Sequence, residues 1–162
     1  MCETVLPVTI LLVRHARAGR RDRWVGDDRL RPLSRKGRVQ ADALPATVSG
    51  LLAGARPRLV SSPWVRCLET LAPLSAAVGA EVDVDVALGE GMGDKAVETL
   101  AEWMTAPTVL CTHGDVIEGI LGAVVARGVR LGRPVQAAKG SLWVLSGPCG
   151  RVEAARYLPP PA

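Results

Sequence analysis

Short apolar runs that stop at charged turns, alternating with helix-periodic segments, fix most of what this chain can fold into. VTILLV (8–13), RLVSS (58–62) and TVLCT (108–112) are short and apolar. They therefore read as strands buried on both faces. EVDVDV (81–86) alternates and is expected at a sheet edge. Helical periodicity covers 35–53, 64–78, 94–105 and 115–127. Ser34 is placed to cap the first of these helices and Asp94 the third, and Gly128 to end the fourth. Pro63 suits the first turn of the second, whereas Pro45 and Pro73 are expected to kink or interrupt their helices. SLWVLSG (141–147) and RVEAARYL (151–158), separated by a Pro-Cys-Gly turn, read as an antiparallel hairpin, and LPPPA (158–162) as an extended end. The pattern predicts an α/β fold, a three-layer α/β/α sandwich with a mostly parallel sheet. With no repeat and no linker, residues 1–162 are expected to form a single domain.

A chain of 162 residues can bury roughly 70% of its unfolded surface. Aromatic residues make up 3%, with no Phe, so the core must be built from Ala, Val and Leu. That leaves little for base-stacking platforms and argues against a nucleic-acid partner. Cys2, Cys67, Cys111 and Cys149 have no CxxC spacing, and only two histidines could join them. They are expected to be free thiols of a reducing compartment, with no metal site. The N-terminal apolar run is too short for a membrane span and lacks a leader pattern, so a cytoplasmic protein is expected. Net charge is +4, but residues 14–38 hold ten Lys or Arg against three Asp, a local +7 that leaves −3 elsewhere. A basic lobe of this kind concentrates anions.

The chain's two histidines, His15 and His113, each follow a predicted buried strand. In open parallel sheets, ligands bind beyond the carboxyl ends of the strands. LVSSPWVRCLET takes a third strand through Ser61, Ser62 and Pro63 into a helix whose first turn carries Arg66. A helix N-terminus favours an anion. Three strand ends thus offer His15 with Arg14, Arg66, and His113 with Thr112. Forked guanidinium donors beside imidazoles suit a dianionic phosphoryl group. Neighbouring arginines are expected to lower the pKa of His15, leaving a neutral imidazole able to attack phosphorus. Arg17 is a further candidate contact to substrate. Trp24, Trp64 and Trp103 are candidates for an aromatic wall, with Trp64 the best placed. Cys67, next to Arg66, is either a redox-sensitive thiol or a buried small hydrophobe.

These motifs resemble, in order and over essentially the whole chain, those of the histidine phosphatase (phosphoglycerate mutase-like) superfamily. Arg14-His15-Ala16 is similar to its Arg-His-Gly motif, SSPWVRCLET supplies its second arginine as Arg66, and Thr112-His113-Gly114 its second histidine. PLSRKGRVQA (32–41) is similar to the segment after its first loop. The short loops resemble the small phosphohistidine phosphatases. Residues 14–38 look closer still to the phosphatase-like half of certain two-domain Nudix hydrolases that act on nucleotides, although the chain is expected to lack room for the Nudix half.

The resemblance implies a metal-independent, cofactor-free phosphatase. His15 would become phosphohistidine, while Arg14, Arg66 and His113, with Thr112 and Arg17, bind the phosphoryl group and substrate. Glu90, in a Leu-x-Glu pattern, would be the general acid, with Asp94 second. The substrate would be a phosphohistidine protein or a small phosphorylated metabolite, with no nucleic acid and no membrane as partner. A nucleotide or nucleoside polyphosphate is the alternative substrate. A non-catalytic phosphoryl-binding protein is a further alternative, and a mutase an enzymatic rival. Ala16 replaces the usual Gly; its methyl is either tolerated there or crowds the phosphate loop. Asp115 is expected to orient His113 or cap a helix. The absence of a long inserted lid argues against an elaborate substrate.

Overall fold

The central strand β1 (Val8–Arg14) organises the sheet in the computed structural model, which describes residues 6–161. β1 pairs in parallel with β4 (Thr108–Thr112) and antiparallel with β5 (Leu142–Gly147). β4 continues to β2 (Arg58–Ser61) and then to the edge strand β3 (Val82–Val84), both parallel. β6 (Ala154–Leu158) closes the other edge as the antiparallel partner of β5. The strand order is β3-β2-β4-β1-β5-β6. Helices cover both faces, making a three-layer α/β/α sandwich with the expected C-terminal hairpin. They are α1 (Arg35–Leu51), α2 (Val65–Val78), α3 (Gly93–Trp103) and α4 (Gly114–Ala126).

Alternation along β1 divides the core. Ile10 and Leu12 join Leu100, Ile117, Ile120 and Trp143 on the α3/α4 side. Leu11 and Val13 join Leu44, Val48, Leu71 and Leu74 on the α1/α2 side. Each fully buried aliphatic side chain contributes roughly 1.5–3 kcal/mol. This burial explains the two prolines. Neither proline interrupts its helix, and both helices run on through Pro45 and Pro73. Leu44 and Val48 flank the first and Leu71 and Leu74 the second, so packing outweighs the roughly 3 kcal/mol local penalty. α2 starts one residue later than expected, at Val65, with Trp64, the residue after Pro63, as its N-cap. At α3 the N-cap is Met92, and Asp94 lies in the first turn, where its charge still favours the helix dipole. Ser34 caps α1 as expected, its hydroxyl accepting from Gly37 N–H at 3.1 Å. Trp103 is part of the core, not an aromatic wall. No helix among the described residues is long and apolar enough to cross a membrane.

Cys67 and Cys111 are buried free thiols. Cys149 is disulfide-bonded, which corrects the expectation of a free thiol there. Cys2 lies outside the described residues.

The segment 32–41 pins the loop after β1. The Arg17 carbonyl accepts from Ser34 N–H (2.9 Å) and from the Ser34 hydroxyl (3.1 Å). Arg17 N–H donates to Gln40 Oε1 at 3.0 Å, and Gln40 Nε2 donates to the Lys139 carbonyl at 3.2 Å. The loop comes so close to α1 that a Cβ on Gly37 would stand 1.8 Å from the Arg17 carbonyl oxygen. Replacing Gly37 by Ala should therefore destabilise the fold by about 2–3 kcal/mol. Gly50→Ala in the same helix, with nothing within 4 Å, should stabilise it by roughly 0.5–1 kcal/mol. Urea denaturation of the two variants checks this; equal midpoints would refute the close approach.

Candidate active site

Parallel pairing puts Arg14 opposite Thr112, and His15 N–H donates to the Thr112 carbonyl at 3.0 Å. The residues after the two strands therefore emerge at one sheet edge. The His15 and His113 rings meet edge-on, 5.3 Å between centroids at 62°. His15 is 4% exposed. Its Nδ1–H donates to the Ala16 carbonyl at 2.8 Å, which leaves Nε2 with the lone pair. Arg66 Nε donates toward that nitrogen at 3.4 Å. Burial, first, holds the His15 pKa at about 3 against the help of the Ala16 carbonyl; His113, Arg66 and Arg14 add to the lowering. The expected neutral imidazole is present, but desolvation leads and the arginines follow.

His113 is held from behind. Ser62 Oγ accepts from Trp64 N–H at 3.2 Å and shares a hydrogen bond with His113 Nε2 at 2.9 Å, its direction set by the imidazole tautomer. The other ring nitrogen, Nδ1, is a buried atom with no partner in the protein, on a residue that lines the cleft. Cys67 Sγ lies 3.6 Å from the same Nε2, and the Trp64 ring packs edge-on to His113 at 5.2 Å. Ser62 escaped the sequence reading as a functional residue because its partner is 51 positions away.

Arg66 is 1% exposed. Besides His15, its guanidinium reaches the Asp28 carbonyl (2.9 Å), the Asp28 carboxylate (3.3 Å) and Glu90 Oε2 (3.5 Å). Asp28 also binds Arg31 at 2.8 Å, and Arg31, first, holds its carboxyl below the usual range, with Arg66 and Arg21 adding to it. Asp28 was missed in the sequence; the signal was an acidic pair, Asp27-Asp28, inside an otherwise basic loop. Glu90 is half-exposed and bridges Arg66 and Arg21, the latter at 3.1 Å. Asp115 neither orients His113 nor caps α4. Its carboxylate accepts from Gly91 N–H at 2.7 Å and so ties the Glu90 loop to the start of α4.

Arg14 threads between the Ala137 carbonyl, to which it donates, and Gly114, where a Cβ would lie 3.1 Å from the guanidinium carbon. A side chain at position 114 would push this cation by a few tenths of an ångström.

Arg14, His15, His113, Glu90, Arg21 and Lys139 are among the residues around a cleft of about 570 Å³. Three expected contacts are not in that lining, and one of them, Arg66, is buried with its guanidinium directed at His15 Nε2. Arg17 lines a separate groove with Lys36, Val39, Gln40 and the C-terminal prolines. The Thr112 hydroxyl is spent on the Leu88 carbonyl at 2.5 Å. Ala16 does not crowd the cleft: its methyl packs with Leu33 and Ala41, and its N–H donates to Thr70 Oγ1 at 2.9 Å. Among the described residues no group of His, Cys, Asp and Glu is gathered as a metal ion requires.

The depressed His15 pKa has two measurable consequences. In NMR titrations its imidazole should stay neutral from pH 8 to well below pH 5; a midpoint near 6.5 would refute the buried geometry. Between the unfolded value of 6.5 and the folded value of about 3 the unfolded chain binds more protons, so stability falls as pH drops through that window and is unaffected above it. Urea midpoints of His15→Gln should accordingly fall less steeply than wild type from pH 6.5 to 4.

Comparison with known proteins bears on the family and the fold. The model of the histidine phosphatase superfamily (branch 1) matches residues 10–106. Over 159 residues the chain is 38% identical to the 8-oxo-(d)GTP phosphatase of Mycolicibacterium smegmatis, a match that takes in 94% of this chain and 48% of that protein. The chain thus spans about half the length of that curated relative. A candidate phosphohistidine phosphatase SixA from Nakamurella multipartitia superposes with a TM-score of 0.73 at 21% identity, covering 98% of this chain and 99% of the other. Its counterpart from Agrobacterium tumefaciens gives 0.71 at 20% identity, covering 96% and 100%. At such identities the structural likeness concerns the fold; the family match, which covers more than half of the chain, places it in the histidine phosphatase superfamily.

Proposed function

We propose that the protein is a metal-independent phosphatase that forms a phosphohistidine on His15. The observation that carries this reading is the His15 imidazole itself. It is buried and neutral, its Nδ1–H is fixed on the Ala16 carbonyl, and its Nε2 lone pair lies beside the Arg66 guanidinium. Nε2 attacks phosphorus, an N–P bond forms, and the bond from phosphorus to the leaving oxygen breaks. Glu90 gives that oxygen its proton. Glu90 then takes a proton from water, the water oxygen bonds to phosphorus, and the N–P bond breaks to release phosphate. Arg14, Arg66 and the His113 Nδ1–H donate to the phosphoryl oxygens as charge builds on them. These donors are held in place before substrate arrives, so little reorganisation opposes the transfer.

The substrate is a phosphorylated small molecule or a phosphohistidine protein. A cleft of about 570 Å³ lined by Arg14, Arg20, Arg21, Arg31 and Lys139 against Glu90 and Asp115 attracts anions. One observation favours a second reading, a nucleotide or nucleoside polyphosphate: the 38% identity to an 8-oxo-(d)GTP phosphatase.

Phosphate release with chelator present tests the reading. His15→Ala should lose about a thousandfold or more, and an acid-quenched wild-type reaction should carry phosphate on a histidine. Glu90→Gln should lose about a hundredfold on a phosphate ester. On a phosphoramidate, whose leaving group departs more readily, the loss should be much smaller. Equal rates for wild type and His15→Ala would overturn the covalent mechanism.

A further inference from the structure

Beside the phosphoryl cleft lies a second groove of about 460 Å³, walled by Leu30, Trp64, Val86 and Met92. Glu90 borders both spaces. Three of these apolar side chains are open to water: Leu30 is 59% exposed, Val86 66% and Met92 37%. They come from three separate segments, the 28–30 turn, the 86–88 turn and the N-cap of α3, and they converge on the Trp64 indole. A concave apolar surface with a few polar groups at its edge is the usual form of a ligand subsite.

Its position relates it to the chemistry. Ring-to-ring steps of 5.3 Å and 5.2 Å lead from His15 through His113 to Trp64. Glu90 lies 3.5 Å from Arg66, which itself reaches His15 Nε2. A leaving group protonated by Glu90 departs on Glu90's side, and the groove is on that side. The Arg21–Glu90 pair between the two spaces is exposed, and exposed ion pairs open at little cost.

The walls select the occupant. An indole flanked by aliphatic side chains takes a flat, weakly polar ring by stacking. Asp27 and Arg29 at the rim are committed to each other at 2.7 Å and add no net charge. A ring bonded directly to the transferred phosphoryl stays against His15. A ring carried on a sugar can pass Glu90 and reach Trp64, while the sugar's phosphate stays among the cations of the cleft. We propose that this groove is the subsite for the base of a nucleoside phosphate whose terminal phosphoryl lies against His15. The proposal rests on the phosphatase reading for its orientation but makes a binding prediction of its own.

Calorimetric titration with GMP and with ribose 5-phosphate measures what the base adds. Wild type should bind GMP about tenfold more tightly than ribose 5-phosphate. Leu30→Asn and Met92→Asn, each tested separately, should shrink that ratio to about threefold or less. Val125→Asn, an exposed site on α4 away from both spaces, should leave it intact. Equal affinity for the two ligands, or a ratio that survives both groove variants, overturns the subsite. Turnover of acetyl phosphate, measured separately, tests the phosphatase reading. Turnover with a flat binding ratio refutes the subsite alone, and a base-dependent ratio without turnover upholds the subsite while refuting the phosphatase.

Discussion

The parallel pairing of β1 with β4 is the constraint on which the site depends. Its register sets Arg14 against Thr112, and the backbone bond from His15 N–H to the Thr112 carbonyl extends the ladder by one residue. Side chains alternate along a strand, so a slip of one residue would send Ile10 and Leu12 to the wrong core and part the two imidazoles. Both cores oppose such a slip. The same apolar burial that stabilises the sheet therefore fixes the distance between His15 and His113. The geometry of the imidazole pair is a by-product of strand register.

The second constraint is a buried cation. Arg66 at the start of α2 is nearly inaccessible, and a buried charge without partners is strongly destabilising. Asp28, from a loop 38 residues away in sequence, and Glu90 supply the compensation. Asp28 also gathers Arg31 and Arg21, so one carboxylate organises three guanidiniums of the basic lobe. This gives the +7 segment a purpose beyond attracting anions. Part of its charge folds the loop back over the strand ends and aligns Arg66 with His15. Glu90 and Asp28 share one guanidinium nitrogen, so a phosphoryl group that engages Arg66 must compete with one of them.

How much was legible follows from the range of each determinant. Strands, layers, hairpin and edge strand were readable because burial writes a local pattern. His15, His113 and Arg66 were readable because strand ends point to one edge. Pro45 and Pro73 misled, since a local rule yielded to tertiary packing by Leu44, Val48, Leu71 and Leu74. Arg17 anchors the loop through its backbone, while its side chain lines a separate groove, a placement no local pattern displays. Asp28 and Ser62 act on partners far away in sequence, and no periodicity marks them. The dominance of burial over charge at His15 was equally hidden, because the sequence displays arginines but not depth.

Ala16 shows what the phosphate loop requires. No non-glycine residue near the site has a positive φ, and the Ala16 methyl finds a small apolar niche beneath the loop. The loop is therefore shaped by its anchors, Thr70, Ser34 and Gln40, and not by glycine's conformational freedom. Glycine is needed where backbone comes close, at Gly37. The outcome is a stiff cradle. Of the three buried side-chain polar atoms left unpartnered among the described residues, Arg14 Nε and His113 Nδ1 belong to cleft residues. An unsatisfied buried donor or acceptor costs about 1–3 kcal/mol. Under the proposed function a bound phosphoryl dianion would satisfy both atoms, so part of the stability forgone in the free protein would return as affinity.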